Sequence, residues 1–304
     1  MKRDVHDTLA AQFTTHSIVR QLHDVPPHEV YEVFVDGQRA VYKGNTGPTG
    51  KATLEGHVIA FVGDQTSVPV PEILLVGDGY YVAAWHPNAP APDEGGQADE
   101  TWAYAAGRGL ATLHNETDPL IDRYGRFRPS VNGTVVAEDD DWHAAALAYV
   151  HQYRPTLAQH GHADVADMVL EFLKDHPSVF SGADGPVCCH GWATPEHVTV
   201  VDEQVACMVD FEHAIAAPGE FDYWRTGLPT FGRDCDASGE AFRAGYESVR
   251  SLSSGFERRK PLYTILNGVY YFESLYVQDQ HGPEETREHA QKLRDGVLEA
   301  VEQV

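Results

Sequence analysis

Apolar and polar residues alternate with a period of two through HEVYEVFVDGQRAVYKGN, residues 28–45. The alternation breaks at Asp36-Gly37 and then resumes. Two alternating runs around an Asp-Gly pair predict a β-hairpin. VPVPEILLVGDGYYVAAWHP repeats the pattern and predicts two more strands around Asp78-Gly79. Between them, TGKATLEGHVIAFVGDQ reads as a short helix. Ahead of the hairpin, residues 6–22 put Leu9, Phe13, Ile18, Val19 and Leu22 on one imperfect apolar face, which predicts a further helix.

APAPDEGGQADE, residues 89–100, is poor in apolar residues and rich in Pro, Gly and acid, and reads as a linker or surface loop. From Thr101 the period becomes helical: Trp102, Ala105, Ala106, Gly109, Leu110 and Leu113 share one side of WAYAAGRGLATLHNET. Residues 139–160 and 162–175 predict further helices, VTVVDEQVACMVD a strand pair, and the last third of the chain more helix. No internal repeat appears. The expected organisation is α+β, with a small β-rich N-lobe over residues 1–88, a linker over 89–100 and a larger, mostly helical C-lobe over 101–304.

Composition narrows the partners. The 304 residues carry 46 Asp and Glu against 22 Lys and Arg, for a net charge of −24, and six of the basic residues are Lys. Such a surface repels phosphate backbones and anionic lipid, so nucleic acid and membrane are not expected partners. The acids are scattered rather than clustered, as on proteins that work at high salt, where screening tames self-repulsion. The apolar stretches are too short to span a bilayer. MKRDVHDTLAAQF has neither the apolar core nor the cleavage site of a secretory signal. Cysteines stand at 188, 189, 207 and 235 without CxxC spacing; Cys188 and Cys207 lie in apolar runs and read as small core residues. A reducing cytoplasm fits this usage.

The candidate chemistry lies on strands and beside them. Lys43 sits on the second hairpin strand, and Glu55 sits on the helix that follows. A strand Lys paired with a helix Glu clamps nucleotide phosphates. Asp210 ends the apolar strand CMVD, ahead of Phe211 and Glu212, a position from which a carboxylate facing a cleft holds a divalent cation. His190-Gly191 lies upstream, and GEFDYWRTG with Asp222 lies downstream.

The order of these pieces resembles the aminoglycoside phosphotransferase and choline kinase group, which has the two-lobed protein-kinase-like fold. VYKG is similar to its strand lysine segment, LEGHVIAFV to the helix carrying the glutamate, and YYVAAWHP to its hinge. GRGLATLHNET is similar to its helix ending in Leu-His, VCCHGWATPEHVTV to its catalytic loop, and MVDFEHAIAAPGEFDYWR to its metal-binding segment. The resemblance implies ATP and Mg²⁺ as cofactors, with Mn²⁺ as an alternative ion, and a small hydroxyl-bearing acceptor. It implies that Lys43 holds phosphates, Glu55 orients it, Asp210 binds the cation, and Ala83, Ala84 and Trp85 flank the adenine. His190 and Asp222 become structural braces of the loop.

Two positions depart from the group. Its loop reads His-Gly-Asp, four residues, Asn; here Trp192 and His197 stand at the Asp and Asn positions. Trp has a donor and no acceptor, so it takes no proton. Imidazole suits Mn²⁺ or Zn²⁺ better than Mg²⁺, which leaves His197 as a metal-ligand candidate for the softer ions. Glu196, His197 and Glu212 are the candidates for the missing base, and Trp192 either packs or contacts the acceptor. Three readings stay open at this point. They are a small-molecule phosphotransferase with an altered loop, a ligand-binding pseudokinase without turnover, and a metal-dependent hydrolase at His190, His197, Asp210, Glu212 and His213.

Overall fold

The structure is a computed structural model and describes residues 4–91, 96–130, 135–232, 236–302 and 304. Its N-terminal part is an antiparallel five-stranded sheet. The strands are β1 (His16–Val25), β2 (His28–Val35), β3 (Gln38–Asn45), β4 (Ile73–Gly77) and β5 (Tyr80–Ala84), in the order β1-β2-β3-β5-β4. Both predicted hairpins form. Asp36 and Gly37 adopt φ of 47° and 83°, the left-handed pair that a two-residue turn between twisted strands requires.

The period of two separates the faces of this sheet. Val33, Val35, Ala40, Tyr42, Tyr80 and Val82 form a small core with Val5 and Leu9 of α1 (Val5–Ala10). The opposite face presents Tyr81 and Ala83 to Val58, Ile59 and Val62 of α2 (Ala52–Gln65). Lys43 is on this second face, directly across from Tyr81 in the β3–β5 register.

The helix expected over residues 6–22 is overturned. α1 stops at Ala10, and β1 begins at His16 and pairs with β2. Leu9 and Phe13 have helical spacing, but Thr14, Thr15, Ile18 and Val19 are β-branched and lie beside a free sheet edge. Pairing with that edge outweighs the weak helical pattern.

The rest of the chain is mostly helical: α3 (Glu100–Thr117), α4 (Trp142–Gln159), α5 (Ala163–Asp175), α6 (Gly219–Phe231), α7 (Ala237–Glu247), α8 (Phe256–Gln278) and α9 (Pro283–Glu302). Aspartates cap three of these starts. Asp99, Asp141 and Asp236 accept from the backbone N–H groups of Trp102, Ala144 and Gly239. Short strands link the helices: β6 (Gly125–Arg126), β7 (Arg128–Pro129), β8 (Val135–Val136), β9 (Pro186–Cys189), β10 (Val198–Val201), β11 (Gln204–Met208) and β12 (Ile215–Pro218). β10 and β11 form the expected hairpin, and β6, β12 and β9 form a three-stranded sheet. Cys188, Cys189 and Cys207 are buried and unpaired; Cys235 and linker residues 92–95 lie outside the described residues. Among the described residues, no helix is long and apolar enough to cross a membrane.

α3 and α7 cross at glycines. A Cβ on Gly245 would lie 2.0 Å from the Tyr104 carbonyl oxygen, and one on Gly107 would lie 2.2 Å from that of Phe242. Alanine inside a helix ordinarily gains ~1 kcal/mol over glycine. Here the backbone contact reverses the sign, and Gly245→Ala is expected to lose about 1–3 kcal/mol. Urea denaturation measures this, and unchanged stability would contradict so close a crossing.

Candidate active site

Three segments converge below the N-terminal sheet. β3 brings Lys43, α2 brings Glu55, and the turn after β11 brings Asp210 and Glu212. Lys43 Nζ lies 2.6 Å from Asp210 Oδ1, 2.7 Å from Glu55 Oε2 and 3.4 Å from Glu212 Oε2. The Glu55 contact is an ion pair outside hydrogen-bond alignment, while the other carboxylate oxygen, Oε1, accepts from Tyr81 O–H at 3.0 Å. The β3–β5 register therefore sets two groups side by side on one sheet face, and both reach the same helix glutamate.

Charge organises the cluster. Burial opposes the Lys43 charge, but Asp210, Glu55 and Glu212 more than reverse this and hold its pKa well above the usual lysine range. Burial pushes Glu55 up to about 7, even with Lys43 beside it. Burial would also raise Asp210 and Glu212, yet Lys43 brings both well below the usual carboxylate range. Asp210 has φ of 68°, and Asp tolerates this left-handed conformation better than most residues. The sharp turn takes the chain out of β11 into the single 3₁₀ turn Phe211–His213 and leaves the carboxylate facing Lys43.

The loop from His190 is fixed by its own backbone. Asp222 on α6 is fully buried and accepts from the N–H groups of His190 at 2.6 Å and Gly191 at 2.8 Å, and it lies 3.1 Å from His114 Nε2. His190 Nε2 donates to the Val209 carbonyl at 2.9 Å, and Nδ1 accepts from Trp192 N–H at 3.2 Å. Both ring nitrogens are thereby used, and burial draws the His190 pKa down to about 4. Gly191 has φ of 85°, and a Cβ there would lie 2.3 Å from the His213 carbonyl oxygen, so the loop approaches the Asp210 turn backbone to backbone.

His197 faces acceptors on both sides. Nδ1 donates to the Trp192 carbonyl at 2.9 Å, and Nε2 lies 3.0 Å from Asp210 Oδ2. Burial would lower its pKa, but Asp210 lifts it to about 9. The imidazole thus sits between a carbonyl and a carboxylate, two acceptors that favour its charged form. Glu196 is exposed, and among the described residues it makes no hydrogen bond or ion pair with the cluster. Trp192 turns toward the C-terminal core, with its ring 5.7 Å from Tyr270 and 5.4 Å from Tyr271. Ala83 is buried, Ala84 ends β5, and the Arg39 guanidinium lies 3.5 Å over the ring of Trp85.

Two contributors, His28 and Arg225, were not singled out from the sequence, and His213 entered only as a ligand candidate of the hydrolase reading. His28 Nδ1 donates to Glu212 at 2.8 Å while Nε2 accepts from Lys51 N–H, which ties the β1–β2 turn to Glu212. His213 Nε2 sits 2.9 Å from Glu212 Oε1 and 2.9 Å from Tyr270 O–H. Arg225 is buried on α6, donates to the Gly191 carbonyl and Tyr149 O–H, and lies 4.1 Å over the Tyr270 ring. His28 had one sequence signal, its place just after Pro26-Pro27 in the loop above the cleft. Arg225, in GEFDYWRTG, had none.

A family model described as the phosphotransferase enzyme family, APH, matches residues 28–262. The chain belongs to this phosphotransferase family. Solved structures show the same protein-kinase-like fold. A candidate fructosamine-3-kinase from Thermobifida fusca YX-ER1 aligns with a TM-score of 0.68 and 16% identity, over 97% of this chain and 98% of that one. A thermostable variant of aminoglycoside phosphotransferase APH(4)-Ia, in complex with ADP and hygromycin B, aligns at 0.66 and 14%, over 98% of each chain. A microcompartment-associated aminopropanol kinase aligns at 0.62 and 15%, over 99% of this chain and 97% of that one. No curated protein sequence is matched.

Proposed function

We propose that this family member transfers a phosphoryl group from ATP to a hydroxyl of a small molecule. One observation carries the reading: a strand lysine, a helix glutamate and a strand-end aspartate meet with contacts of 2.6 and 2.7 Å at Lys43 Nζ. Phosphoryl transfer depends mainly on positioning and charge stabilisation, and these groups supply both. The family setting, and the ADP in the complex of the APH(4)-Ia variant, support a nucleotide in this cleft.

The carboxylates fit a hard divalent cation. Oxygens of Glu55, Asp210 and Glu212 lie within 4.8 Å of one another, and Mg²⁺ prefers such ligands. On this reading Asp210 and Glu212 hold the cation, and His197 serves as the charge partner of Asp210 rather than as a ligand. A cation held there would offset the charge of the phosphates. Lys43 binds phosphate oxygens, Glu55 and Tyr81 orient Lys43, and His190 and Asp222 keep the loop in register. Ala83, Ala84 and Trp85 form the wall for the adenine.

Trp192 cannot take the acceptor proton, and a positioned base contributes only ~10²–10⁴-fold. Of the three substitutes, His197 lies between two acceptors, and Glu196 is exposed with no hydrogen bond to the cluster among the described residues. Glu212 remains as the ionised carboxylate on the adjoining cavity, placed to accept a hydrogen bond from the acceptor hydroxyl rather than to act as a strong base. Three buried unpaired thiols support the reducing cytoplasm as its working compartment.

Calorimetry with ATP and Mg²⁺ or Mn²⁺, at the high salt that suits so acidic a surface, tests the reading. Wild type is expected to bind only with metal, and Asp210→Ala to bind at least about tenfold more weakly, the loss of a charge-assisted contact. No nucleotide binding with either metal sinks the proposal. Tight binding without ADP release on any acceptor favours the second reading, a pseudokinase, for which Trp192 is the motivating residue.

A further inference from the structure

A cavity of about 290 Å³ opens beside Glu212 and His213, away from the Ala83–Trp85 wall. Its walls come from the loop before α2, from β6, and from α4 and α8. Its volume is at the small end for ligand sites, enough for a compact metabolite rather than a chain of sugar rings.

Lys51 and Arg126 line this cavity together. Among the described residues neither has an ion pair or a side-chain hydrogen bond. Burial, and after it the Arg126 charge, brings the Lys51 pKa down to about 8. Two cations sharing a wall favour a negatively charged ligand between them. Such a pair is against the trend of a chain with a net charge of −24.

The backbone holds both residues in place. Asn45 donates to the Gly50 carbonyl at 3.0 Å and accepts from Ala52 N–H at 2.9 Å, while His28 accepts from Lys51 N–H at 3.0 Å. Arg126 is registered opposite Ile215 on β12, close in the chain to His213. Of the two carboxylates on the cavity, Glu212 already makes contacts of 3.4, 2.8 and 2.9 Å with Lys43, His28 and His213, and among the described residues neither it nor Glu273 forms an ion pair with Lys51 or Arg126.

We propose that this cavity binds the acceptor, and that the acceptor is a small hydroxy acid whose carboxylate is held by Lys51 and Arg126 while its hydroxyl points toward Glu212. The assignment of the cavity to the acceptor rests on the phosphotransfer reading; the anion preference rests on the cavity alone. Arg126 is exposed and Lys51 half-buried, and Arg and Lys donors placed together recognise a carboxylate with charge-assisted hydrogen bonds. A polycationic aminoglycoside would bring like charge to the same wall.

Saturation-transfer NMR titration separates the two parts. The probes are hydroxy acids from glycerate to gluconate, the matching polyols, and kanamycin. Wild type is expected to bind one or more of the acids. Arg126→Gln should weaken that binding about tenfold, and Lys51→Gln with Arg126→Gln by more, with Arg123→Gln as an unaffected surface control. ATP calorimetry on the same samples reports the nucleotide site. Binding of polyols or kanamycin in preference to the acids overturns the hydroxy-acid assignment and leaves phosphotransfer standing. Acid binding that the double variant does not weaken also overturns it. Acid binding that depends on both cations, in a protein that ignores ATP, keeps the anion site and removes phosphotransfer.

Discussion

Glu220→Met is expected to cost about 3–5 kcal/mol of folding stability, because it strands a buried arginine. Glu220 and Arg259 are both fully buried. The guanidinium meets the carboxylate at two points, Nε to Oε1 at 2.5 Å and Nη2 to Oε2 at 2.9 Å. Tyr263 and Ser253 hydroxyls donate to the same carboxylate, and Arg259 Nη1 donates to the Ser181 carbonyl at 3.1 Å. The pair ties the start of α6 to the start of α8. Removing both charges is far milder than removing one, since apolar packing substitutes for a buried pair at little net cost. The double variant Glu220→Met, Arg259→Met should therefore recover a large part of the loss. Guanidinium denaturation of the single and double variants measures the cycle. A single-variant loss below about 1 kcal/mol, the range of an exposed pair, would contradict the burial of this one.

Lys43→Met is expected to lose a similar ~3–5 kcal/mol at neutral pH, and the loss should depend on pH. Lys43 is the cation shared by Glu55, Asp210 and Glu212. In wild type, Asp210 and Glu212 have depressed pKa values. They contribute stability above their unfolded values, and it is lost as pH falls through the folded ones. Without Lys43, burial pushes Glu55 and Glu212 up, while His197 still faces Asp210. The glutamates' contribution then changes sign: the folded variant binds protons more tightly than its unfolded chain, and loses stability as pH rises from about 4 towards 7. The gap between wild type and variant should therefore be widest near neutral pH and should narrow on acidification. Urea denaturation at neutral and mildly acidic pH reads this directly. A gap that stays constant would mean that Lys43 contributes packing and not charge. Metal-dependent ATP binding should fall with the same substitution.

The local patterns were legible in the chain itself. Asp36-Gly37 and Asp78-Gly79 marked both hairpins because a two-residue turn depends on residues a few positions apart. α3, α4, α5 and the β10–β11 pair followed from periodicity over one or two turns of chain. The stretch around β1 was misread because its apolar spacing was weakly helical, and its partner edge on β2 is a tertiary fact. Lys43, Glu55, Asp210, His190 and Asp222 were picked out by their order along the chain, which residue type and spacing reveal.

The altered loop shows where that legibility ends. Trp192 and His197 were visible as departures, but their consequences required coordinates. His197 favours its charged form because the Trp192 carbonyl and Asp210 flank it, and Trp192 packs because Tyr270 and Tyr271 arrive from α8. Arg225 supports the Gly191 carbonyl from α6, and its burial among aromatic rings joins elements far apart in the chain.

By itself the sequence determined the α+β organisation, the strongly acidic surface, the two hairpins, and which lysine and carboxylates were candidates for phosphate and metal chemistry. These are properties of composition and of short-range spacing, where the backbone has few choices. Only the tertiary structure decided that Lys43 touches three carboxylates at once, that His28 closes onto Glu212, and that Lys51 and Arg126 share a wall. Those are contacts between groups brought together by packing, and their charge states follow from burial and from neighbours that no local pattern encodes.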